Sequence, residues 1–358
     1  MHGKLAIFNP IFSKKIDLLI FITPTIIASI LILACFRLSF YFPVSFSYEN
    51  IQIYFYSVYT VFLMVPHSYA TFYKVHDDRT MFDGAYQIEF KYFFLLVFFS
   101  GIVFFKLPRI FSVVLSYADI FHHVRQQYGW MVLSQRRQLT LSTHESILDK
   151  LMIYNVMITP LLWWHFNPTN FGWIQKNDLL FFNSPLCGAI TIGIHWIFNL
   201  YFFSIYLYWY LKGKQFNLGK ILIILSTWFS FYFGILNFED GVKSLLVTFN
   251  HTIPYLFLVY RYIGSPNRLG HKSPRVSNKS WMSFYLPLVF IGLLISSLQF
   301  LKIKKLPLLD GGIAFAAVTG GIFHYFFDTF IWRFHRKETR LTEFLDIQGQ
   351  RFKKLGHQ

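Results

Sequence analysis

Apolar stretches long enough to cross a bilayer recur along the whole chain, and that recurrence limits its folds more than any other feature. Ten windows stand out, at 16–36, 51–73, 91–105, 109–133, 150–165, 183–212, 220–236, 242–262, 281–301 and 309–334. A hydrocarbon core about 30 Å thick is spanned by about 20 helical residues. Backbone N–H and C=O groups in lipid must be bonded within the segment, so these windows predict helices and not open sheets. Proline and glycine punctuate them, at Leu107-Pro108, Asn167-Pro168, Lys212-Gly213, Gly264-Ser265-Pro266 and Leu306-Pro307. Windows 91–105 and 150–165 are short, so eight to ten crossings fit the pattern. The expected fold is all-α, a polytopic integral membrane helix bundle of about ten transmembrane helices over residues 1–334, with a basic cytoplasmic tail over 335–358.

Charge placement orients the bundle and excludes other readings. Charged residues make up 14% of the chain, against about 25% in soluble domains. The N-terminal window is too long for a signal peptide and lacks a small-residue cleavage site, so it reads as a retained span. With the N-terminus inside, the inner segments carry 24 Lys and Arg and the outer loops 8. Cations concentrate on the cytoplasmic side, so both termini are expected there. The net charge of +16 then belongs to loops and a tail lying on lipid headgroups, not to a nucleic-acid site. The expected location is the cell membrane, multi-pass, of the bacterial inner-membrane type. Two cysteines, Cys35 and Cys187, are too few for a disulfide framework.

One window is polar where lipid demands apolar residues. Leu115–Leu133 carries Asp119, His122, His123, Arg125, Gln126 and Gln127. A charged side chain at mid-bilayer costs about 2.5–3.5 kcal/mol, so these groups must face protein and find partners. At 100° per residue, Asp119, His122, His123 and Gln126 share an arc of about 100°, and Arg125 lies outside it. Histidines also occur in the second window (His67), the sixth (His195), the eighth (His251) and the tenth (His324). Even-numbered helices run in one direction. These residues lie about 13–24 Å from the outer ends, at 1.5 Å per residue, and so form one layer.

The faces agree with that layer. Tyr56, Thr60, His67 and Thr71 align, as do Ser184, Gly188, Thr191, His195 and Asn199. Ser244, Thr248, His251 and Tyr255 make a third stripe, and Gly320, Gly321, His324 and Asp328 a fourth. Small and polar stripes are inward faces of membrane helices. His67, His122, His123, His195, His251 and His324 are therefore candidate metal ligands. Imidazole without thiolate suits iron, zinc or copper rather than magnesium or calcium. Asp119 and Asp328, at i, i+3 and i, i+4 from a histidine, would ligate or fix a tautomer. Gln126 and Asn199 would donate to a bound substrate or oxygen species, and Arg125 would offset carboxylate charge. His76-Asp77-Asp78 stands at the cytoplasmic mouth as a loop or an auxiliary gate.

Four segments carry a resemblance: PHSYATFYKVHDD (Pro66–Asp78), HHVRQQYGW (His122–Trp130), NHTIPYLFLVY (Asn250–Tyr260) and HYFFDTFIWR (His324–Arg333). In these the chain resembles histidine-rich bacterial multi-span proteins grouped with the β-carotene 15,15′-oxygenase type of membrane enzyme. The resemblance implies a histidine-ligated iron site among helices, acting on a lipid-soluble molecule. The HxxxH and HxxHH boxes of the membrane desaturases and hydroxylases do not occur, so di-iron chemistry and carotenoid cleavage are not carried over.

The expected function is a membrane-embedded, histidine-ligated, metal-dependent oxidoreductase of the non-haem iron oxygenase or hydroxylase type. It would take a lipid-soluble substrate from the bilayer and draw on an electron donor. A b-type haem protein is the alternative within redox chemistry, because two facing histidines at equal depth can be axial ligands. A proton-coupled transporter is the alternative from another class, because intramembrane His, Asp and Arg also mark proton paths. An acyl or prenyl transferase is a third.

Overall fold

The computed structural model describes residues 6–8, 10–41, 58, 60–77, 87–136, 138, 141–167, 173, 178–237, 240–263, 280–300 and 307–332. The described residues contain ten helices. Helix α1 covers 14–41 and includes a π-helical stretch, Leu18–Ile22. Helix α2 covers 60–77 and opens with a second, Thr60–Met64. Then follow α3 (Gln87–Lys106), α4 (Pro108–Gln135), α5 (Thr143–Phe166) and α6 (Pro185–Leu211). Helix α7 covers 218–237, with a π-helical stretch at Phe229–Phe233, and α8 (Asp240–Ile263), α9 (Trp281–Phe300) and α10 (Pro307–Ile331) complete the set. Two short strands, β1 (Ala6–Ile7) and β2 (Phe216–Asn217), pair in parallel.

The all-α expectation holds, but the expectation of ten apolar crossings is only half met. Among the described residues five helices are long and apolar enough to cross a membrane: Lys14–Ala34, Pro185–Leu211, Leu218–Leu236, Trp281–Leu298 and Gly311–Ile331. The others have the length but carry more polar side chains, uncharged as well as charged. Helices α3, α4, α5 and α8 run for 20, 28, 24 and 24 residues. Helix α3 holds Glu89, Lys91 and Lys106, and α5 begins with Glu145, Asp149 and Lys150. Helix α5 starts seven residues before its apolar window because Ser142 caps it, the hydroxyl accepting from the Glu145 N–H at 3.3 Å. Part of window 51–73, the side chains of His76 and Asp77, all of Asp78 and the tail 335–358 lie outside the described residues.

The fold divides into two compact units. The first contains α1, α4 from Ser116, α5, α6, α7, and α8 as far as His251. Its core joins Val124 and Met131 to Met152, Val156, Trp164, Phe202 and Phe231. Buried polar groups tie its helices as apolar contact alone does not in lipid. Gln127 Nε2 donates to Asn250 Oδ1 (2.9 Å), Asn250 Nδ2 donates to Thr25 Oγ1 (3.2 Å), and Thr25 meets Ser230 Oγ at 3.3 Å. On α6 the buried positions Gly188, His195, Asn199, Phe202 and Tyr206 form one face. The opposite face is apolar and exposed, with Leu186 at 71%, Ile197 at 69% and Leu200 at 67%. That pattern suits a helix with protein on one side and lipid on the other.

The second unit contains α2, α3, α4 as far as Leu115, α8 from Thr252, α9 and α10. An aromatic core of Phe93, Phe111, Phe323 and Phe327 lies between α3, α4 and α10. Ala70, Tyr255, Leu256, Val259, Phe284 and Leu288 pack α2 against α8 and α9. Two glycines permit the close approaches. A Cβ at Gly292 would lie 2.5 Å from the Val61 carbonyl oxygen, and one at Gly320 would lie 2.5 Å from the Tyr69 ring. Gly320 thus serves packing, as small residues between membrane helices do.

Candidate metal centre

In the second unit, α2 and α10 bring two histidines face to edge. The His67 and His324 rings are 4.3 Å apart at 72°, and the Tyr255 ring stands 4.5 Å from one and 4.9 Å from the other. His67 and His324 are buried, at 5% and 0% exposure. With Asp328 as a carboxylate, a chain of hydrogen bonds sets the tautomer of His324. Tyr255 Oη donates to Asp328 Oδ1 at 2.7 Å. The Tyr255 oxygen is left to accept, and Thr71 Oγ1 lies 2.6 Å from it. Having given its one proton to Tyr255, Thr71 Oγ1 accepts from His324 Nδ1, also at 2.6 Å. With Nδ1 protonated, His324 Nε2 carries the lone pair a metal needs. Trp332 Nε1 adds a second donor to Asp328 Oδ1, at 3.2 Å.

In the first unit, α4 and α8 contribute the other histidines. His122 and His251 rings are 5.2 Å apart at 86°. His123, one residue on, turns away by about 100° and stacks flat on His251 at 3.7 Å. Its Nδ1 lies 2.9 Å from the Asp119 carbonyl oxygen and 3.2 Å from Asp119 Oδ1, while Trp173 Nε1 donates to Asp119 Oδ2 at 2.6 Å. Pro254 within α8 has no N–H for the Asn250 carbonyl one turn earlier. Gln127 Nε2 approaches that oxygen at 3.3 Å, and Gln126 Nε2 donates to the His251 carbonyl oxygen at 2.7 Å. The two glutamines therefore hold the proline-interrupted turn that presents His251.

Four histidines, His67, His122, His251 and His324, form a buried group that could bind a metal ion: each offers one ring nitrogen, and these nitrogens all lie within 4.8 Å of one another. Four uncharged nitrogen donors match iron, copper or zinc and suit neither magnesium nor calcium.

Two of the six histidines expected as ligands stand outside this group. His123 serves Asp119 and stacks on His251. His195 accepts from Trp228 Nε1 at 3.0 Å and lies flat against Tyr232 at 4.5 Å. Neither carboxylate belongs to the group: Asp119 binds Trp173 and His123, and Asp328 accepts from Tyr255 and lies 3.6 Å from His324 Nδ1, the expected i, i+4 pair. Gln126 spends its amide N–H on the α8 backbone, and Asn199 is buried one turn beyond His195. Arg125 stands away from the group. It is exposed, 3.4 Å from Tyr154 Oη and over the Tyr128 ring at 5.5 Å, because it lies off the polar arc of α4. Thr71 and Tyr255 were legible only as members of inward faces, and Trp173 gave no signal in its loop. No family model matches the chain, and no curated protein and no solved structure matches it.

Proposed function

We propose that this chain is a membrane-embedded, metal-dependent oxidoreductase of the non-haem iron oxygenase or hydroxylase type, acting on a lipid-soluble substrate. The buried four-histidine group is the observation that supports this reading. Four imidazoles close a tetrahedral zinc site, whereas iron takes further ligands and keeps positions open. Iron held there would supply redox chemistry and open coordination positions. The resemblance of the histidine-bearing segments to the β-carotene 15,15′-oxygenase type of enzyme points the same way. An optical spectrum separates this reading from a b-type haem, whose Soret band a non-haem site lacks.

The chain's own residues would do the rest. Thr71, Tyr255 and Asp328 hold a continuous hydrogen-bonded path for one proton from His324 Nδ1. Phenylalanines and tyrosines around the helices exclude water and offer an apolar surface to the substrate. We further propose a multi-pass location in the cell membrane with both termini in the cytoplasm, on the Lys and Arg distribution. The test is elemental analysis and an optical spectrum of the full chain purified in mild detergent. Bound iron without a Soret band is the expected result. A Soret band, or no metal taken up when ferrous iron is supplied, would overturn the reading.

A further inference from the structure

A second group of buried polar atoms lies within the first unit, between α5, α6 and α7, and the four-histidine group does not use it. Trp228 Nε1 can only donate, so His195 Nε2 accepts and the His195 proton sits on Nδ1. That Nδ1 faces the backbone of Asn155 without a hydrogen bond of normal geometry. Asn155 Oδ1 is taken by Thr159 Oγ1 at 3.0 Å, and Asn155 Nδ2 has no partner. Asn199, one turn from His195 and 3% exposed, has no partner on either amide atom.

The arithmetic of donors identifies what is missing. Asn155 and Asn199 bring two N–H bonds each and His195 one, and the only unused acceptor among these side chains is Asn199 Oδ1. Buried donors of this kind are normally bonded. The deficit is in acceptors, and on α5 the exposed Ile158 and Leu162 share the face of Asn155. A ligand that suits both is a hydrocarbon body carrying a carbonyl oxygen. We propose that Asn155, His195 and Asn199 form a binding site for the carbonyl group of a lipid-soluble ketone or quinone that enters from the bilayer.

An alkyl benzophenone tests this directly, because its carbonyl is both the acceptor and the photoreactive group. The full chain in detergent is irradiated with an octyl benzophenone, and labelled peptides are mapped by mass spectrometry. An octyl diazirine without a carbonyl reports general lipid-facing labelling. The proposal expects saturable benzophenone labelling of α5 and α6 near Asn155 and Asn199, competed by a dialkyl ketone and not by an alkane of equal length. Replacing both residues (Asn155→Leu with Asn199→Leu) should lower apparent affinity about tenfold, as loss of two hydrogen bonds predicts, with diazirine labelling unchanged. Labelling spread evenly over the exposed helices, or a ketone that fails to compete, would overturn it and leave a water-filled polar pocket. Competition on the unaltered chain decides the matter even if the double variant fails to fold.

Discussion

Replacing Lys220 with Met should destabilise the first unit by about 3–5 kcal/mol, the usual cost of breaking a buried ion pair from one side. Lys220 is fully buried at the start of α7. Its ammonium contacts Glu145, and lies 2.7 Å from Asp149 Oδ2. Without it Glu145 keeps Lys214 at 2.9 Å and Gln138 at 2.8 Å. Among the described residues Asp149 keeps the neutral donors Gln135, at 2.8 Å, and Tyr206. The loss therefore falls mainly on Asp149, left buried with no cation. Adding Asp149→Asn to Lys220→Met removes that carboxyl group, and should return about 2–3 kcal/mol as a coupling between the two sites. Equilibrium unfolding in mixed micelles, followed by tryptophan fluorescence, measures both variants. A cost below about 1 kcal/mol for Lys220→Met, or no recovery in the double variant, would refute the reasoning.

Three further outcomes follow from particular contacts. Thr71→Val keeps the side-chain shape and cuts the link between His324 and Tyr255, so metal affinity should fall about 10–100-fold, read by competition with a chelator. Asp119→Asn should have a smaller effect on the same measurement, under about tenfold, because Asp119 stands outside the group and bonds His123, which stacks on His251. Gly292→Ala would force a Cβ to within 2.5 Å of the Val61 carbonyl oxygen and should cost about 1–3 kcal/mol in the unfolding assay. Gly320→Ala should cost less, because the Tyr69 ring it meets can rotate.

The helices were legible because lipid leaves an apolar segment no other backbone choice, and each of the ten apolar windows holds a helix. The number of apolar crossings was not, because polar side chains within the windows, those of α4 above all, lower their hydropathy. Nor was the burial of Lys74 and Lys220. Counted among cytoplasmic cations, both are fully buried, Lys74 over the Tyr262 ring at 3.6 Å and Lys220 between two carboxylates 75 and 71 residues earlier in the chain. A partner that distant leaves no local trace.

The histidine layer was legible from depth and face, and four of its six members gather. Which four was not. Successive residues on a helix point about 100° apart; His122 joins the group, and Asp119 takes His123. His195 has the right depth and turns instead to Trp228 and Tyr232. The path from His324 through Thr71 and Tyr255 joins residues 253 and 184 positions apart, which no spacing rule connects.

The central claim is that His67, His122, His251 and His324 bind a metal ion, and metal content in matched single variants tests it most directly. Each of the four is replaced by Ala, with His195→Phe as a control outside the group, and metal per chain is measured on monodisperse protein after chelation and reloading with ferrous iron. The account predicts bound iron in the unaltered chain and in His195→Phe, and a sharp loss in each of the four alanine variants. Iron retained in the four, or lost equally in His195→Phe, would contradict it.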